Sequence, residues 1–138
     1  MSRVIRTEGA GKDRNQLCRG IVVALRELTR QTDTGATTKD LAAFIALALL
    51  ETHATVDESV AAWEKKGYWV KADRFRMDWE WTRGSGEKLK KALKEDDWPA
   101  IAMLSAHVGE KLVKVTVPER NRVGKPWVGA YKTIKEQW

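Results

Sequence analysis

Between Thr38 and Gly67 no glycine or proline interrupts the chain, and inside that stretch lies the run LAAFIALALL, Leu41 to Leu50. A helix over this run is apolar almost all round, so it must be enclosed by neighbours on every side. Thr38 is the predicted N-cap, with Asp40 in the first turn, where a carboxylate suits the helix dipole. Thr52, Val56, Val60 and Trp63 continue one apolar stripe, and Gly67 offers a stop. The helix so read is about 28 residues long, or about 42 Å. The apolar run itself falls short of the roughly 20 residues a membrane span needs. A long helix that must be surrounded sets the expectation for everything else: an all-α chain, folded as a compact bundle of four to five helices around it.

The remaining elements follow from spacing and punctuation. Residues 1–11 read as a loose arm ending at Gly-Ala-Gly, after which Asp13 and Gln16 form a capping-box pattern. Leu17, Ile21, Ala24, Leu25 and Leu28 then recur at helical spacing as far as about Gln31. RFRMDWEW, residues 74–81, alternates charged and apolar side chains and would suit a strand. As a helix, however, it gains the opposite-sign i,i+4 pairs Arg74–Asp78 and Arg76–Glu80, and only Val70 nearby is β-branched. The helix has two apolar faces. Tyr68, Ala72, Phe75 and Trp79 form one, and Val70, Met77 and Trp81 form the other. Thr82 to Gly86 reads as a turn, and Glu87 to Lys94 as a short basic helix with Leu89, Ala92 and Leu93 inward. Asp96 or Asp97 caps the next helix, with Pro99 in its first turn and Ile101, Leu104, Val108 and Leu112 as its core stripe. Residues 112–117 alternate and are expected as a short extended segment. A basic loop follows, and then a terminal helix with Trp127, Tyr131, Ile134 and Trp138 on one face. The expectation is a single helical domain over 1–138.

Chemistry-bearing patterns are sparse. The chain has two histidines and one cysteine, with no Cys-x-x-Cys, no His-Glu-x-x-His and no paired Glu-x-x-His, so neither a zinc nor a di-iron site is expected. His53 with Asp57 one turn later supplies two ligands, which read as a surface pair. His107 beside Val108 reads as a boundary histidine. Cys18 lies on the Leu17–Ile21 stripe and reads as a small buried side chain. It excludes an intramolecular disulfide framework and fits a reducing compartment. Gly9-Ala10-Gly11-Lys12 lacks the P-loop pattern and a preceding strand. No catalytic residue, cofactor or metal is expected.

Surface composition is more informative. The net charge is +6, arranged as +4 over residues 1–31, −4 over 32–62 and +6 over 63–138 by counting Lys and Arg against Asp and Glu. Seven tryptophans are far above ordinary usage, and Trp with Arg is the pairing that anchors protein interfaces. The second apolar face of the 68–81 helix needs something to pack on. Val70, Met77, Trp81 and Trp69 are therefore the candidate interface residues, and a homo-oligomer, a dimer above all, is the expected partner state. The candidate polyanion-binding residues are Lys114, Arg120, Arg122 and Lys125 in the loop, with Lys71, Arg74 and Arg76 among the tryptophans. The favoured reading is a non-catalytic helical interaction module acting as an oligomer or subunit. The alternatives are a nucleic-acid-binding accessory protein and a small-molecule pocket within the bundle. The opening residues carry no apolar leader segment, and the expected setting is cytoplasmic, with no membrane partner.

Overall fold

A computed structural model of the chain describes residues 7–138. It is an all-α bundle of α1 (Thr7–Thr29), α2 (Ala36–Lys65), α3 (Trp69–Lys94), α4 (Trp98–Lys111) and α5 (Ala130–Lys135). The long helix is central, as its composition demands. α2 packs against α1, α3 and α5, while α4 lies on α3 and reaches α1. Leu41, Ala42, Ala43, Ile45, Ala46, Ala48 and Leu49 are all buried in the main core. Toward the other end of α2, Val56 and Val60 join Ala72 in a smaller cluster roofed by Trp63, Phe75 and Trp79. No described helix is long and apolar enough to cross a membrane.

Several boundaries differ from those read in the sequence, each for a local reason. The expected arm 1–11 lies partly outside the described residues, but α1 is already helical from Thr7, so Asp13 is an interior residue and not a cap. The inward line of α1 runs Ala10, Arg14, Cys18, Ile21. Ala10 is buried, and the arginine in that line hides the stripe from an apolar count. α2 is capped by Gly35. Thr38 sits inside the helix, with its hydroxyl donating to the Asp33 carbonyl at 2.7 Å.

The expected turn at Thr82–Gly86 is uninterrupted helix, making α3 one element where two were anticipated. Thr82 and Ser85 are buried there, and a β-carbon on Gly86 would lie 2.9 Å from Leu50 Cγ and Cδ2. The glycine serves close helix approach and not chain reversal. α4 starts as expected, its Asp97 carboxylate accepting from the Ala100 amide at 3.2 Å. The expected extended segment at 112–117 begins as a turn over 112–114 and continues without regular structure, with Leu112 and Val117 buried in the core. The terminal helix is short because Gly129 adopts φ 84° at its N-cap, which leaves Trp127 outside the helix, yet buried.

The 112–129 segment is held at two places. Arg26 Nη2 donates to the Val117 carbonyl at 2.6 Å, and Glu119 receives both Arg26 and Arg30. Further along, the Asp40 carboxylate accepts from the Gly129 amide at 3.1 Å and the Tyr131 amide at 3.0 Å. Asp40 therefore caps α5 across the molecule, where the dipole of that helix welcomes a negative charge.

Candidate assembly surface

α3 presents a closed face and an open one. Gly67, at φ 83°, lets the chain leave α2, and the Tyr68 amide bonds back to the Trp63 carbonyl at 2.9 Å. From this corner Ala72, Phe75 and Trp79 point inward. Phe75 meets Trp63 edge-on at 4.9 Å between ring centroids. The Arg14 guanidinium lies 4.6 Å from the Phe75 centroid and 5.8 Å from that of Trp79. It also donates to the Thr55 carbonyl and to the Thr55 and Ser59 hydroxyls, each at 3.3 Å. Burial pulls the Arg14 pKa below its ordinary value. A half-buried cation is tolerated here because aromatic faces and three oxygens replace water. Arg76 fastens the same corner, pairing with Glu64 of α2 at 3.0 Å and Asp73 at 2.8 Å. The anticipated Arg76–Glu80 and Arg74–Asp78 pairs do not close.

On the open side, Trp69 is 59% exposed, Val70 67% and Met77 77%, beside an exposed Tyr68. Trp81, the fourth candidate interface residue, is half-buried against the main core, its ring stacked on Trp79 at 6.3 Å with 21° between planes. Val70, Met77 and Gly84 follow one another at seven-residue spacing and all are exposed. A β-carbon on Gly84 would meet nothing within 4 Å. Arg74 borders this line on one flank, and Asp73 and Glu80 border it on the other, by the turn of 3.6 residues.

The polyanion candidates fall into two groups. Lys114, Arg120, Arg122 and Lys125 are exposed in the loop. Their acidic neighbour Glu119 is engaged by Arg30 and Arg26, which hold its carboxyl below the usual carboxylate range. Of the α3 group, Arg74 is open, Lys71 places its ammonium 4.4 Å over the Trp63 ring, and Arg76 is committed to two carboxylates.

The remaining chemical candidates stay apart. Among the described residues no group of three or more His, Cys, Asp and Glu side chains could hold a metal ion. His53 Nε2 meets Asp57 Oδ2 at 3.5 Å, while its Nδ1 is buried with no hydrogen-bond partner. Cys18 is 4% exposed, and burial pushes its thiol up to about 11, unlike a reactive thiolate. No family model matches the chain, and neither a curated protein nor a solved structure matches it.

Sequence reasoning missed Arg14, and it placed Asp40 in the first turn of the long helix, whereas α2 begins at Ala36 with no acidic residue in its first turn and Asp40 caps α5 instead. For Arg14 a signal existed, since it sits at i+4 from Ala10 and i−4 from Cys18 on the inward line. For Asp40 there was none, because its partner amides come from the far end of the chain.

Proposed function

We propose that the protein is a helical assembly module, a non-catalytic subunit that pairs with a second copy of itself through the outer face of α3. The observation that carries this reading is the run of exposed apolar side chains Trp69, Val70 and Met77. Large apolar groups gathered on one helix face mark interaction sites, whereas scattered ones do not. Gly84 supports it. A glycine in an exposed helix interior costs about 1 kcal/mol relative to alanine, and no packing by the described residues requires it. Close approach by another helix does require a small residue. The flanking charges favour a second copy as the occupant, since the same surface offers Arg74 on one side and Asp73 and Glu80 on the other.

The test is light scattering of the purified chain at low and high salt. A dimer is expected at both, because apolar burial is little screened even at about 1 M salt. Met77→Glu is the informative substitution, since Met77 touches solvent and its loss spares the core. Placing a carboxylate in the paired surface weakens the dimer by roughly a hundredfold or more. A monomer at both salt concentrations rejects the proposal.

A further inference from the structure

A cleft of about 590 Å³ opens between α1, α2 and the loop around residues 122–126, a size within the range of small-ligand sites. Its apolar part includes the half-buried Phe44 ring and Pro126. Gly20 of α1 makes this floor possible, because a β-carbon there would lie 3.2 Å from Phe44 Cζ. Two exposed guanidiniums stand at the same cleft, Arg19 from α1 and Arg122 from the loop. Among the described residues neither has a carboxylate partner. The cleft also holds Asp13 and Glu51, both already engaged within the protein. Glu119, the acid nearest Arg122 in sequence, is turned away to Arg26 and Arg30.

From this juxtaposition we infer that the cleft is a nucleotide site, in which Arg19 and Arg122 hold a phosphate and the Phe44 ring stacks against the base. Guanidinium forks match phosphate geometry, and two arginines line this one cleft. A planar ring over Phe44 supplies the apolar contact that a bare phosphate lacks. The same chemistry is presented by a free mononucleotide and by one unit of a single strand. For a strand, exposed Lys125 and Arg120 extend the positive surface along the loop. None of these residues lies on α3, so this inference and the assembly reading stand or fall separately.

Titration calorimetry on the full chain at low salt decides it, using AMP, inorganic phosphate and a short single-stranded RNA as probes. AMP is expected to bind, and Arg19→Ala or Arg122→Ala to weaken it roughly tenfold each. Both sites are exposed, and circular dichroism checks that the fold is kept. Phe44→Leu should weaken AMP while leaving phosphate unchanged, which separates stacking from charge. RNA binding without AMP binding, lost on the same arginine substitutions, assigns the site to a strand. Three results overturn the inference: no binding of AMP or RNA, binding indifferent to both arginines, or phosphate binding as tightly as AMP.

Discussion

At Gly86 a β-carbon would also lie 3.3 Å from the Ala46 carbonyl, besides its 2.9 Å contact with Leu50. Overpacking of that kind costs about 1–3 kcal/mol, against a helix-propensity gain of about 1 kcal/mol from alanine. Gly86→Ala should therefore lower the urea midpoint of unfolding, and a raised midpoint would mean that Leu50 yields freely. Cys18 makes a second prediction, in pH. Its thiol moves from 9.0 to about 11 on burial, so the folded chain holds the proton more tightly than the unfolded one. Its contribution to stability is complete below about pH 9 and disappears as pH rises through about 11, to a total of up to about 3 kcal/mol. Cys18→Ala should remove this part of the alkaline loss, seen by comparing urea unfolding of both proteins near neutrality and at roughly pH 10. An equal alkaline loss in both proteins refutes the assignment. The burial of Cys18 was legible in the sequence because the apolar stripe passes beside it. The role of Gly86 was not, since Gly-Ser-Gly reads as a turn until the opposing Leu50 is known.

At the scale of elements, periodicity located the long helix, the inward stripe of α4 and that of α3 except for Tyr68, which is 55% exposed. The sequence narrowed the α4 cap to Asp96 or Asp97, of which Asp97 serves. These are signals carried within a few turns of chain. What failed were boundaries decided by residues far away. α3 continues through two glycines, of which only Gly86 has the space beside it filled by α2, and α5 is short because Gly129 takes a left-handed conformation. Asp40 is the clearest case, and it can be tested. It accepts from two amides at the start of α5, and no residue of α5 replaces it. Asp40→Ala should cost about 1–2 kcal/mol, the usual scale for a lost cap. The loss should concentrate at the C-terminus, with faster amide hydrogen exchange at Ala130–Lys135 and little change in α3 or α4. Uniform exchange across all helices would show instead that Asp40 acts through α2.

For the whole molecule, the proposed dimer carries a prediction about how two copies of α3 would meet. With Met77 facing the partner, Arg74 and Trp81 lie on one flank and Asp73 and Glu80 on the other. A two-fold axis running along the helices turns the Arg74 flank of each copy toward the flank of the other that carries Glu80 and the Arg76-paired Asp73. A two-fold axis across the helices places the carboxylates of both copies on the same side, where they repel. The charges therefore favour the parallel pairing. In that pairing Val70 lies opposite its own equivalent, whereas in the antiparallel one it lies level with Gly84. A disulfide needs its two α-carbons within about 7 Å, so Val70→Cys alone should crosslink the dimer under mild oxidation, scored by non-reducing electrophoresis. The buried Cys18 does not compete for that bond. Crosslinking that appears only when Val70→Cys is combined with Gly84→Cys reverses the orientation while keeping the surface. Crosslinking by neither variant, in a chain that still dimerises, moves the interface off α3 and removes the reason for its exposed methionine and tryptophan.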